Sequence, residues 1–393
     1  MESLTRLTVL PDPGMTDASS IRLALFSDTC APQVNGVART LDRLVEAVEA
    51  RGGAVEIVSV ADPGAPEPSR IRRMPSRPFW AYPELRLAWP SRRAIVHVME
   101  AFRPTLVHAA TEFGIGMAGR RWALHSGTPL VTSYHTNFTA YASHYNLGFL
   151  AQPGWSFLRW FHNGAQRTYC PTRAILQDLS ARGFRHPQVW PRGVDPARFA
   201  PQFRSSALRA SLGASDDTLV VTYVGRLASE KGVQVALDAL RQASAARPGA
   251  ICFHVVGDGP YEGRLRERAP DGTRFAGRLE GQALSEAYAS GDLFIFPSTT
   301  DTFGNVLLEA MASGLPILGA DVGPTREVVG PAAGWFVEPG NGPAFAAEIV
   351  RLVDDRTRLA IGAFAARERA TAQSWDAIWD ALVADYLTVQ RGG

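Results

Sequence analysis

The chain has 393 residues, too many for one ordinary domain and enough for two separate hydrophobic cores. Its 40 basic and 38 acidic residues leave a formal charge of +2, which gives no case for a general nucleic-acid binder. Cys30, Cys170 and Cys252 lie too far apart for a disulfide framework or a zinc site and fit a reducing cytoplasm, while no apolar run approaches the roughly 18 residues that span a bilayer.

Residues 1 to 20 carry Pro11, Asp12, Pro13 and Asp17 where a signal peptide needs its apolar core, and they read as a loose N-terminal extension. IRLALFSD (21–28) is a buried strand. It runs through a loop and the Asn35-Gly36 turn into an amphipathic helix with the stripe Leu41, Leu44, Val45 and Val48. AVEIVSVADPG (54–64) is a second strand and turn. The composition then changes: residues 70–93 hold Arg70, Arg72, Arg73, Arg77, Arg86, Arg92 and Arg93 with Phe79, Trp80, Tyr82 and Trp89, against the single acid Glu84. A loop of this length is either a surface that meets something anionic or amphipathic, or a cover whose aromatics pack down.

A helix at 91–102, strands at 105–109 and 129–134 and a helix at 114–125 continue the alternation, so the sheet is parallel. His135 stands just past a strand end, where open α/β sheets place ligands; a capping or packing histidine is the plainer alternative. The aromatic stretch 138–165, with Tyr141, Tyr145, Phe149, Trp155 and Trp160, could rest on a membrane, although core packing is the default. After a strand and helix at 168–184, prolines at 187, 191, 196 and 201 stiffen a connector. The domain boundary falls there, with 21–190 before it and 191–374 after it.

The second half repeats the architecture. In TLVVTYVGRLASEKGVQVALDALRQA (218–243), Gly225 permits close backbone approach, and Arg226 and Lys231 place two cations at one strand end. Singly, each would be a solvated surface charge. Together, after Gly225 and before a helix, they favour an anion site. A strand with a GDGP turn follows, which is ordinary Asp-Gly turn chemistry, then a short strand ending at Gly277 and another helix. The apolar run 293–296 feeds PSTTDTFGNVLLEAMASGLPILGA (297–320): a loop, a short helix, a glycine stop and a strand. Leu307, Leu308 and Met311 form the helix's core stripe, and Asn305 and Glu309 share another face. Such a helix aims its first N–H groups and the positive end of its dipole at the sheet's carboxyl edge, a phosphate site. Asp301 and Glu309 can border the same crevice, and carboxylates grip vicinal diols. A nucleotide-sugar carries phosphate in the middle and hydroxyls at both ends. The plainer alternative is a helix N-terminal acid plus a surface glutamate. GPTREVVG (323–330) places Glu327 near another strand end, and an amphipathic helix at 375–390 carries Trp375, Ile378, Trp379, Leu382 and Tyr386.

The 297–320 segment resembles the E-x7-E signature of retaining glycosyltransferases of the GT-B fold, family 4 type. Asp301 replaces the usual first Glu, which keeps the charge and shortens the reach by one methylene. Its Asp-Thr-Phe is similar to that of the branch containing mannosyltransferases and glycolipid synthases. VGRLASEKG and FAGRLEG precede it in the family's order, and PRGVD resembles the crossover loop, where Asn is commoner than Arg192.

Over residues 21 to 386 the resemblance implies an α/β chain of two doubly wound Rossmann-like domains facing each other across a cleft, with the C-terminal helix crossing back to the first. It implies His135, Asp301, Arg226 and Lys231 as catalytic residues. Donor contacts would come from Gly36, Gly225, Arg226, Lys231, Arg278, Leu279, Phe303, Gly304, Asn305 and Glu309. No metal and no cofactor are expected beyond the donor substrate, GDP-mannose or another NDP-sugar, since the chain has no Asp-x-Asp pair. The implied acceptor is a lipid or lipid-linked glycan, and an anionic membrane surface is the implied partner of a peripheral, cytoplasmic enzyme. Alternatives are a UDP-sugar-dependent diacylglycerol glycosyltransferase, a nucleotide-sugar epimerase of the same fold and a non-catalytic sugar-nucleotide sensor. A nicotinamide dehydrogenase is disfavoured, because NGVARTL does not supply G-x-G-x-x-G after the first strand.

Overall fold

The structure is a computed structural model and describes residues 15–33, 35–61, 71–79, 82–135 and 151–392. Two compact units form: the first takes the described residues up to Pro191 and again from Asp376, and the second takes Arg192–Trp375. The expectations placed on residues 1–14 and 136–150 lie outside the described residues.

The first unit runs β1 (Arg22–Ser27), α1 (Gly36–Ala50), β2 (Ala54–Val60), β3 (Ile71–Met74), β4 (Ser76–Phe79), β5 (Tyr82–Ala88), α2 (Arg92–Phe102), β6 (Leu106–Ala109), α3 (Gly114–Ser126), β7 (Leu130–Ser133), α4 (Ala151–His162), β8 (Arg167–Cys170), α5 (Arg173–Ala181) and β9 (Pro187–Val189). Seven strands form a parallel sheet in the order β3-β2-β1-β6-β7-β8-β9. Leu23, Ala24, Leu25 and Phe26 of β1 are all buried, as expected of a strand covered by helices on both faces. The described residues of the basic-aromatic segment are largely strand, not loop. β3 joins the sheet beside β2, and β4 and β5 pair as an antiparallel ribbon of their own.

The second unit runs α6 (Ser206–Ser211), β10 (Leu219–Val224), α7 (Val233–Ala246), β11 (Ile251–Val256), α8 (Glu262–Arg268), β12 (Thr273–Gly277), α9 (Gly281–Ala289), β13 (Leu293–Phe296), α10 (Asn305–Ala312), β14 (Ile317–Ala320), α11 (Gly323–Val329), β15 (Gly334–Val337), α12 (Gly342–Asp354) and α13 (Arg356–Thr371). Its sheet is parallel in the order β12-β11-β10-β13-β14-β15. Chain order reverses between β1 and β6 in the first sheet and between β10 and β13 in the second. At such switch points the loops leaving adjacent strands part and open a crevice at the carboxyl edge. In the second unit, α10 is pinned beneath that edge by Leu307, Leu308 and Met311, each at most 1% exposed. Each contributes about 1.5–3 kcal/mol by burial.

The last helix, α14 (Trp375–Gln390), belongs to the first unit from Asp376 on. The buried Tyr386 places its hydroxyl 2.7 Å from His108 Nδ1, and His108 Nε2 lies 2.6 Å from the Ser133 hydroxyl. Asp385 accepts a 2.7 Å hydrogen bond from Tyr169 and pairs with Arg167, while Asp380 pairs with the buried Arg51 at 2.8 Å. Burial holds both the Tyr169 and Tyr386 phenols well above their ordinary range.

Candidate active site

Three loops of the second unit are stitched together at the carboxyl ends of β10, β11 and β12. Gly225 N–H donates to Val256 O at 3.0 Å, Leu227 N–H to Asp258 O at 2.7 Å, and Gly257 N–H to Gly277 O at 2.8 Å. This packing explains the GDGP turn more fully than turn chemistry does. Gly257 has φ +132°, and a Cβ there would fall 1.9 Å from the Gly225 carbonyl oxygen, so any larger residue would prise the loops apart. Tyr223, beneath the loop, donates its hydroxyl to the Arg226 carbonyl at 3.0 Å.

The loops after β10 and β13, adjacent strands at the switch point, meet through a pair of opposite charges. Lys231 Nζ is 2.7 Å from Asp301 Oδ1, with the side chains 17% and 21% exposed. The other Asp301 oxygen accepts from the Ser298 hydroxyl at 2.5 Å. Thus the carboxylate is held from two sides. The same loop ends at Gly304, which has φ +77° and opens α10 with no side chain capping it and no acid in the first turn. The partial positive charge of the helix start is therefore left uncompensated by its own sequence. Asn305 is its half-buried first residue. One turn on, Glu309 Oε2 accepts from the Tyr288 hydroxyl at 2.8 Å.

The remaining positions expected on the donor side divide. Arg278 is exposed, and its guanidinium forks onto Glu280 at 3.1 and 2.6 Å. Leu279 packs against the core cluster that contains Phe294 and Leu307. Phe303, 7% exposed, turns its ring into that same cluster, so its side chain supports the loop from below. Gly36 and His135 lie in the first unit. Gly36 is the exposed first residue of α1, and the turn before it is a helix cap: Asn35 Oδ1 accepts from Ala38 N–H at 2.9 Å. His135, half-buried just beyond β7, has its ring 5.8 Å from that of Trp190.

Asp28, Tyr288 and Ser298 escaped the sequence reading. Asp28 ends the first strand, 1% exposed, and accepts from Ile115 N–H at 2.9 Å and the Thr111 hydroxyl at 2.7 Å. It thereby caps α3, and burial pushes its carboxyl above the ordinary range. An acid directly after an apolar strand was the available signal. Among the described residues no three His, Cys, Asp or Glu side chains are grouped to hold a metal ion, and no helix is long and apolar enough to cross a membrane.

Residues 34–198 match Glycosyltransferase Family 4, and residues 218–355 match Glycosyl transferases group 1. A GDP-mannose-dependent alpha-mannosyltransferase of Mycobacterium tuberculosis is 33% identical over 379 residues, covering 94% of this chain and 97% of that enzyme. The sulfoquinovosyl transferase SQD2 of Arabidopsis thaliana is 32% identical over 371 residues, 91% of this chain and 71% of that protein. Among solved structures, sucrose-phosphate synthase from Thermosynechococcus elongatus superposes with a TM-score of 0.76 at 22% identity, covering 94% of this chain and 99% of that one, which is a likeness of fold. Because the likeness in sequence runs through both units and nearly the full length of the mycobacterial enzyme, this chain belongs to glycosyltransferase family 4 and is a glycosyltransferase of the GT-B fold.

Proposed function

We propose that the enzyme moves mannose from GDP-mannose, with retention and without a metal, to a lipid or lipid-linked glycan at the inner face of a membrane. The observation that carries this is the contact of Lys231 with Asp301 at 2.7 Å beside the start of α10. It sets a cation for the diphosphate against a carboxylate for the sugar hydroxyls. Glu309, one turn along the helix, is the carboxylate for the nucleoside ribose. As the bond from the anomeric carbon to phosphate oxygen breaks, the departing diphosphate gains negative charge. Arg226, Lys231 and the helix start stabilise that charge more in the transition state than in the ground state.

Double displacement needs a nucleophilic carboxylate on the far face of the sugar, and His135 is not one. In front-face attack, the acceptor oxygen bonds to the anomeric carbon on the side the phosphate leaves, and the acceptor's proton passes to the departing phosphate oxygen. His135 orients the sugar or acceptor. Mannose is favoured by the GDP-mannose-dependent relative, whose likeness spans both units.

The membrane side of the proposal rests on α3 and α4, which contain no Asp or Glu. Leu124, Phe157 and Trp160 are 52%, 38% and 51% exposed, Arg120 lies over the Trp160 ring at 4.0 Å, and Arg121 is exposed. Apolar rings beside cations suit an anionic bilayer surface. Arg72 and Arg73 of the basic-aromatic segment are employed elsewhere: Arg72 pairs with Glu56 at 2.5 Å, and Arg73 donates to the Ala31 carbonyl at 2.8 Å. Thermal-shift measurements with GDP-mannose and UDP-glucose, followed by NMR of the product, test the proposal. GDP-mannose should raise the melting temperature more, and the product should keep the α configuration. A larger shift with UDP-glucose overturns the donor, and an inverted anomeric centre overturns the mechanism.

A further inference from the structure

We infer that Tyr288 positions the Glu309 carboxylate for the ribose of a nucleoside diphosphate; this rests on Glu309 being the ribose ligand, as proposed above. Tyr288 lies near the end of α9 and is 0% exposed. Phe199 meets its ring edge-on at 5.6 Å, and Phe294 packs at 5.9 Å, so the phenol is fixed in the core. From that fixed base its hydroxyl donates to Glu309 Oε2 at 2.8 Å. Burial of the ring alone would be served equally well by phenylalanine. Sequestering a hydroxyl is unfavourable unless it is hydrogen-bonded, and here the bond runs to a charged acceptor at the mouth of the site.

A glutamate side chain has much rotamer freedom to lose when it grips a ligand. A rigid donor on one oxygen removes part of that freedom in advance, which is how preorganisation strengthens binding. An ionised carboxylate has about four lone-pair sites, so a phenol on one oxygen leaves capacity for a vicinal diol. Tyr288 is thus a positioning residue that acts through Glu309. A plain staple between α9 and α10 would use the same hydrogen bond, and the two roles differ in what they do to ligands.

Tyr288→Phe keeps the ring and deletes the donor. Affinity for GDP and for inorganic pyrophosphate, measured by calorimetry, separates ribose binding from phosphate binding. We expect GDP to bind roughly tenfold more weakly, pyrophosphate to bind unchanged, and the donor KM to rise with little change in kcat. In a Glu309→Gln background the same substitution should add little, since the two residues act as a unit. Equal weakening of GDP and pyrophosphate would show a structural staple and overturn the inference, as would unchanged GDP affinity in Tyr288→Phe alongside a weakened Glu309→Gln. If Glu309→Gln itself leaves GDP affinity unchanged, the ribose assignment fails and the positioning role fails with it.

Discussion

Lys231 and Asp301, 70 positions apart in sequence, meet at 2.7 Å where the sheet order of the second unit reverses. In the proposed mechanism Lys231 serves the diphosphate and Asp301 the sugar, so this contact couples the two roles. Asp301→Asn should therefore release Lys231, tightening GDP binding about three- to tenfold while lowering kcat at least tenfold. Lys231→Gln should weaken GDP and lower kcat together. Isothermal titration with GDP beside steady-state kinetics distinguishes these outcomes, and weaker GDP binding by Asp301→Asn would contradict this coupling.

The proposed mechanism draws positive charge at the diphosphate from Arg226, Lys231 and the start of α10, and the chain has no Asp-x-Asp pair. Turnover should persist in excess chelator. Activity that vanishes with chelator and returns with magnesium or manganese would refute this.

On the first unit, the combined change Arg121→Ser, Phe157→Ser and Trp160→Ser should reduce co-sedimentation with anionic vesicles and reduce glycolipid synthesis, with donor hydrolysis spared. Arg72→Gln should leave vesicle binding intact, because that side chain pairs with Glu56. Soluble acceptors that are used as well without vesicles would remove the membrane from the mechanism.

His254, 1% exposed on β11 opposite Thr222 of β10, has its imidazole pushed down to about 4 by burial, against an ordinary value of 6.5. The fold therefore keeps it neutral. As pH falls through 6.5 the unfolded chain takes up a proton that the folded chain refuses until about 4. Stability should fall across that window by about 3 kcal/mol. His254→Leu should flatten the drop in melting temperature between pH 7 and pH 4; an unchanged slope would show that other groups carry it.

The alternation of apolar strands with amphipathic helices made the two doubly wound units legible, since each period is local. β4 and β5 were hidden by Pro78 and Pro83, which argue against strands, yet a two-stranded ribbon consists of edges where proline is tolerated. α12 and α13 went unassigned for different reasons. The Phe345, Ile349 and Leu352 stripe of α12 was there to be read, whereas α13 buries Leu359, Gly362, Ala366 and Ala370, a mostly small-residue face that leaves little contrast. At the site, residue types and loop positions were readable. The Lys231–Asp301 contact was not, because it depends on β10 lying beside β13; nor was the bond from Tyr288 to Glu309, which depends on how two helices pack. The resemblance counts Phe303 among the donor contacts, and the packing places its ring in the core cluster that contains Phe294 and Leu307.

The helix α14 is synthesised after the whole of the second unit, yet its Tyr386, Asp385 and Asp380 complete the bonding of His108, Tyr169 and Arg51 in the first. On the ribosome, the Arg192–Trp375 stretch of the second unit emerges before α14, so the earlier-made sheet is expected to wait with His108 lacking its phenol. The half of the enzyme that is translated first is therefore expected to mature last. Nascent chains halted before residue 375 should therefore show a protease-resistant second unit attached to a protease-sensitive first one.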